Sequence, residues 1–382
     1  MKSRFMLIFL SLVLVLGMLS GCSKPSTEEP EVIKIGVFEP MTGANASGGQ
    51  MTVEGIELTH KKFPEVLGKK IELVIADNKS EKVEAANAAS KLIEKDKVVA
   101  IIGSYGSSLS MAAGDIVKTQ KVPAVGCSPT NPLVTLDNDY YFRVCFIDPF
   151  QGTVMANYAF NEAGAKTAAI IQDVQNDYSV GLSNFFVEAF KKLTGDDNSI
   201  VTTTSYNAGD QDFSAQLTSI KALNPDVIFA PGNHGESALL IKQARSLGIT
   251  VPILGGDTWE SPEFIDIGGD AVEGIVFSSH FTSEAPVTET SKEFLAEYKE
   301  EFGKDANAFA ALGYDAYLVI LDAIKKADSA DPVKIRDEIA KTSGFVGATG
   351  NITLDVNGDA VKSAVINQVQ GGKFVYLTTV EP

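Results

Sequence analysis

Two hydroxyl-rich stretches each follow a short apolar run and open a helical pattern. Residues 98–103 lead into Ser104-Tyr105-Gly106-Ser107-Ser108, and residues 122–126 lead into Cys127-Ser128-Pro129-Thr130. The start of a helix leaves backbone N–H groups free and carries the positive end of the helix dipole, so it suits a carboxylate. Ser and Thr hydroxyls there can add hydrogen bonds, and Gly106 allows close backbone approach. The same residue types also serve as plain helix caps, and by type alone Ser107, Ser108 and Thr130 fit capping better. Asp257, in Gly255-Gly256-Asp257-Thr258-Trp259, follows a third apolar run. It could face a bound ammonium, or be an ordinary turn aspartate.

Catalytic arrangements are missing. The nucleotide-binding patterns G-x-G-x-x-G and G-x-x-x-x-G-K-[ST] do not occur, nor does the G-x-S-x-G nucleophile elbow. The three histidines, His60, His234 and His280, show no metal-ligand spacing, and no nucleophile–base pair can be argued. The chain is expected to be no enzyme, with neither cofactor nor metal.

The elements that must position these residues alternate strand and helix. Strands are expected at 33–38, 71–76, 98–103 and 122–126, then at 168–172, 200–206, 227–231, 251–255 and 274–277. These runs are β-branched, continuous and bounded by Gly, Pro or Asn, as in strands buried on both faces. Between them, Val83, Ala86, Ala89 and Ile93 recur at helical spacing. So do Leu182, Phe185, Phe186, Ala189, Phe190 and Leu193, and two further sets at 213–220 and 240–247. Repeated β-α alternation implies parallel, doubly wound sheets. The alternation runs twice, with a break at 143–152 (RVCFIDPFQG) that has no clear helix start and reads as a crossing between lobes. After residue 277 the pattern turns helix-rich, then closes with a β segment at 352–354 and a hairpin of 361–369 with 373–380.

The chain has 382 residues with 32 Lys+Arg against 49 Asp+Glu, a net charge of −17. The length suits two domains, and the charge disfavours nucleic acid as a partner. Lys2 and Arg4 precede an apolar run at 5–19, too short for a membrane span of ~20 residues and fitting a secretory signal. It ends in Leu19-Ser20-Gly21-Cys22, which resembles a bacterial lipobox. A signal peptide is expected over 1–21 and a lipidated, flexible tether over 22–31. Cys127 and Cys145 could pair or be two buried thiols.

The segments IKIGVFEPMTG, VAIIGSYGSS, VPAVGCSPTNP, DFSAQL, IKALNPDVIFAPG and KQARSLG resemble the branched-chain amino acid (leucine/isoleucine/valine) binding family, type I periplasmic binding proteins of ABC importers. The resemblance spans about 33–377. It implies an α/β fold of two Rossmann-like lobes with central parallel sheets and three hinge crossings. Lobe 1 would be 32–147 with 281–354, and lobe 2 would be 148–280 with 355–382. Ligand entry would close the lobes about hinges near Ile147, His280 and Leu354.

The resemblance turns Ser107, Ser128 and Thr130 from caps into groups that grip an α-carboxylate and, through a main-chain oxygen, an ammonium. Asp257 falls where an acid, usually the longer Glu, binds the amino group; Glu39, ending the first strand, is the next candidate. Tyr178 matches an aromatic that caps the ligand. Phe309 keeps a pocket aromatic, Tyr105 replaces a smaller aliphatic, Asn233 replaces a tyrosine, and Gly48 stands where an aromatic is usual. Trp259 fits core packing better than the pocket. The implied partners are an amino acid and the permease and ATPase of an importer. The protein would act as a monomer, exported and held by its lipid at the outer face of the cell membrane or in the periplasm. The alternative is a ligand-sensing receptor component of the same fold that binds an amide or other small solute.

If Cys22 carries the lipid, labelled palmitate should be incorporated by the full chain and lost from Cys22→Ala, with the variant leaving the membrane fraction.

Overall fold

The computed structural model describes residues 31–382, so the expected signal peptide, Cys22 and all of the tether but Glu31 lie outside the described residues. From Val32 to Pro382 the chain forms one compact unit built on two sheets. The first contains β1 (Val32–Glu39), β2 (Glu65–Val66), β3 (Lys69–Asp77), β4 (Ala100–Ile102), β5 (Ala124–Gly126) and β6 (Tyr141–Arg143), in the order β2-β3-β1-β4-β5-β6. All pairings are parallel except the β2–β3 hairpin. The second contains β7 (Ala168–Asp173), β8 (Ile200–Tyr206), β9 (Val227–Phe229), β10 (Ile253–Gly255), β11 (Val276–Ser279), β14 (Ala364–Gln370) and β15 (Lys373–Val380). Its order is β15-β14-β11-β10-β9-β7-β8, and only the last two strands of the chain pair antiparallel. A separate ribbon pairs β12 (Phe345–Gly347) with β13 (Gly350–Ile352).

Helices return the chain between parallel strands, as parallel pairing requires. They are α1 (Ala46–Lys62), α2 (Lys82–Glu94), α3 (Ser107–Gln120), α4 (Asp148–Asn157), α5 (Asp177–Thr194), α6 (Ser214–Leu223), α7 (His234–Ser246) and α8 (Pro262–Gly268). Three more, α9 (Glu289–Phe302), α10 (Ala308–Ala327) and α11 (Pro332–Ile339), come from the late helix-rich stretch. The expected two-lobed α/β architecture is therefore present. The central strands β4, β5, β9 and β10 are buried throughout, matching their unbroken apolar runs.

Several local expectations need correction. β5 and β10 are shorter than expected at their starts: Pro123 and Pro252 lack the N–H that a central ladder needs. β11 begins at Val276, because Gly274 still turns at φ 76°. Val83 is 71% exposed, and the buried face of α2 is Ala85, Ala88, Ala89, Leu92 and Ile93; small alanines allow close packing where the larger valine drew the eye. Residues 143–152 do hold a helix start. Ile147 caps α4 in an extended conformation, with a proline in the first turn, where its missing N–H costs nothing. The β segment expected at 352–354 lies at Gly350–Ile352, with Leu354 bridging Ala360 instead. Cys127 and Cys145 are both buried free thiols.

Helix α10 covers the first sheet by crossing α1 at short range. A Cβ on Gly55 would lie 1.8 Å from the Ala310 carbonyl oxygen, and one on Gly313 would lie 2.2 Å from that of Thr52. Both obstacles are backbone, so no side chain can rotate away. Gly55→Ala should therefore destabilise the protein by about 1–3 kcal/mol despite alanine's better helix propensity, read as a lower midpoint in denaturant unfolding.

Candidate functional site

In the first sheet the strand order reverses beside β1, whose neighbours are β3 and β4; in the second it reverses beside β7, between β8 and β9. Loops leaving the carboxyl ends of strands diverge at such points and leave a crevice, the usual ligand position in α/β sheets. Here the two crevices face each other. The shared space is about 640 Å3 including its open mouth, and its walls include Asn45, Tyr105, Gly106, Ser107, Ser108, Ser128, Asp173, Asn176, Tyr178, Asn233 and Asp257.

One wall is the start of α3. Gly106 precedes it at φ 84°, and no side chain caps its first turn. The capping reading of the serines therefore fails. The Ser107 hydroxyl accepts the Asn131 N–H (3.0 Å), while the Ser108 hydroxyl donates to the Asp177 carboxylate (2.8 Å) and accepts the Asp177 N–H (3.0 Å). The buried Ser128 hydroxyl finds no partner within the protein. Thr130 is fully buried, does not line the space, and uses its carbonyl to accept the Asp148 N–H (2.9 Å). The loop carrying these residues is pinned by the buried Arg143, which donates to the Pro129 (2.7 Å) and Asn131 (2.8 Å) carbonyls and pairs with Asp359 (2.6 Å).

The other wall centres on Asp257, just past β10. Its Oδ1 accepts hydrogen bonds from Gln151 Nε2 (2.7 Å) and the Tyr178 hydroxyl (2.9 Å), and its Oδ2 lies 3.1 Å from His280 Nε2. Tyr178 is itself buried. Asn233 sits at the start of α7, its Oδ1 3.3 Å from Asn176 Nδ2. Neither Gln151 nor His280 was singled out for this wall; Gln151 hid in a segment read as a crossing, and no motif marks a lone His. Phe309 stands behind the wall, edge-on to Tyr105 with ring centroids 5.0 Å apart. Trp259 is core, stacked on Phe264. His234 pairs with Glu263 (2.8 Å).

The two walls touch. Besides the Ser108–Asp177 pair, Lys82 reaches Asp177 (2.8 Å), Asn131 Nδ2 donates to the Asp177 carbonyl (2.8 Å), and the Ser47 and Ser261 hydroxyls meet at 2.9 Å. Sequence reasoning missed this set, since polar surface residues far apart in the chain carry no pattern. Among the described residues no helix is long and apolar enough to cross a membrane, and no metal-ligand cluster occurs.

Comparison with known proteins gives the same architecture. A family model described as periplasmic binding protein matches residues 32–373. The crystal structure of a leucine binding protein, LivK, from Thermotoga maritima is 48% identical, with a TM-score of 0.89 over 92% of this chain and 99% of that one. The branched-chain amino acid transporter substrate binding protein LivJ from Streptococcus pneumoniae, in complex with isoleucine, is 33% identical, with a TM-score of 0.85 over 92% and 100%. A leucine-, isoleucine-, valine-, threonine-, and alanine-binding protein of Pseudomonas aeruginosa is 28% identical over 86% of this chain and 87% of its own.

Glu39 is fully buried behind Tyr105 and does not line the space. One oxygen accepts the Tyr105 N–H (2.7 Å); the other has no partner within the protein. Burial pushes its carboxyl up to about 8, against the lowering pull of that N–H. The folded state thus holds a proton that the unfolded chain releases near pH 4.5, so stability falls as pH rises from there to about 8 and is level above. Buried Asp148, also raised to about 8 by burial, acts in the same direction. Glu39→Gln should flatten part of this slope: its melting temperature, relative to the wild type, should be higher at pH 8.5 than at pH 4.

Proposed function

The chain belongs to the periplasmic binding protein family, whose members bind solutes rather than transform them, and on that premise we propose that it captures an amino acid outside the cytoplasm and delivers it to the permease and ATPase of an ABC importer. The observation that carries this reading is the opposite character of the two cleft walls: an uncapped helix start beside a free Ser128 hydroxyl on one, and the Asp257 carboxylate on the other. The first suits an α-carboxylate, the second an α-ammonium. Closure strips water from both ligand charges, so each must meet a partner. Ser107, Gly106 and Ser128 would hold the carboxylate, with Thr130 setting their loop. Asp257, oriented by Gln151, Tyr178 and His280, would face the ammonium, with Asn233 alongside.

In this reading lobe 1 is 32–147 with 281–354 and lobe 2 is 148–280 with 355–382. Each sheet is built from one of these sets, which supports the division. The lobes swing about Ile147, His280 and Leu354, the mature protein acts as a monomer, and a lipid on Cys22 tethers it to the membrane.

Mass spectrometry of solute released from protein purified without refolding should find an amino acid; a solute lacking the α-amino acid group would overturn the assignment. With that ligand, Asp257→Asn should lose roughly 30- to several-thousand-fold in affinity by calorimetry, about 2–5 kcal/mol. A loss below about threefold, under ~1 kcal/mol, would mean that another group pairs with the ammonium.

A further inference from the structure

Tyr105 lines the cleft space yet is 1% exposed, and its hydroxyl finds no partner within the protein. Its ring occupies the place a larger residue at position 48 would need: a Cβ on Gly48 would lie 2.3 Å from Tyr105 Cε2 and 2.6 Å from Cζ. On its far side the ring packs with Met51 and edge-on to Phe309, a small apolar cluster separate from the main cores. The body of the side chain is thus fixed by packing while its polar tip is left over.

A buried hydroxyl without a partner is unfavourable, and sites built around such a group discriminate against ligands that cannot complete it. The Asn45 side-chain oxygen, on the wall of the same space, is also buried and unpartnered. Burial and the surrounding carboxylates, Asp257 first and then Glu236, Glu39 and Glu263, hold the Tyr105 phenol well above its usual range, so it stays a hydroxyl. Asp257, Glu236 and Glu263 disfavour an anionic side chain, and the ring packed against Met51 and Phe309 limits the depth of the space on that side.

We propose that Tyr105 sets the side-chain subsite, so that the preferred ligand is a short amino acid whose side chain carries a neutral hydrogen-bonding group, a hydroxyl or a carboxamide, rather than a branched aliphatic one. The proposal rests on the amino-acid reading above and narrows it. Two near-isosteric pairs separate shape from polarity: threonine with valine, and asparagine with leucine.

The test is calorimetry with these four amino acids on the emptied full-length binding unit. The wild type should bind the polar member of at least one pair about tenfold tighter than its apolar partner, the size of one well-formed hydrogen bond. Tyr105→Phe, which keeps the ring against Gly48 and Phe309, should bring that pair to within about threefold. An apolar member equal or tighter in both pairs overturns the proposal while leaving the amino-acid reading standing, as does a polar preference that survives in Tyr105→Phe with an unchanged melting temperature. If none of the four binds and the released native solute is no amino acid, both readings fall together.

Discussion

A carboxylate that is 2% exposed must be matched by donors, and at Asp257 that requirement organises a whole wall of the cleft. Its partners come from the first turn of α4, the first turn of α5 and the residue after β11. Gln151 also donates to Ser278 (2.8 Å), which extends the network into the strand itself. Removing any one donor would leave part of a buried charge unmet, which is far less favourable than never having placed the charge there. This wall of the cleft is therefore preorganised by the second sheet and the helices beside it, which lowers the cost of ordering these side chains on binding.

The contacts between the two halves are of a different kind from those within them. The large apolar clusters are built around one sheet or the other. What joins the cleft walls is polar: Asp177 with Lys82, Ser108 and Asn131, and Ser47 with Ser261. Water can replace each of these bonds at little loss, whereas splitting an apolar core exposes surface that water cannot satisfy. Apolar burial therefore holds each sheet's own layer together, while the contacts across the cleft are of the kind that water can exchange.

Much of this was legible in the sequence because parallel sheets buried on both faces write themselves as unbroken apolar runs, and β1, β7 and β8 fell within a residue or two of their expected bounds. Where reading failed, backbone chemistry outweighed hydrophobicity: prolines delayed β5 and β10, and alanines rather than Val83 formed the buried face of α2. At the site, Ser107, Tyr178 and Asp257 all line the space; residue type raised Asp257 and the strand-end loop of Ser107, but the family resemblance was needed to prefer ligand contact over capping at Ser107 and to single out Tyr178. Gln151, His280 and Asp177 escaped because their meaning lies in partners far along the chain, and a single polar residue on a helix carries no periodicity. Thr130 and Phe309 stand one layer back from the space, a distinction of depth that sequence does not encode.

The second sheet has one further property. Its strand β11 is flanked by β14, and β14 by β15, both contributed by the last residues of the chain. Between β11 and β14 the chain leaves to form α9, α10 and α11, of which α10 covers the first sheet. During synthesis, therefore, β1 to β6 emerge early with α2 and α3 on one face, but the other face is not fully covered until α10 follows, and β7 to β11 wait longer still for their closing hairpin. Neither half can complete itself as a self-sufficient folding unit; each depends on a segment that arrives after most of the other has been made. Such interleaving raises the share of long-range contacts, slows folding and prolongs the exposure of strand edges.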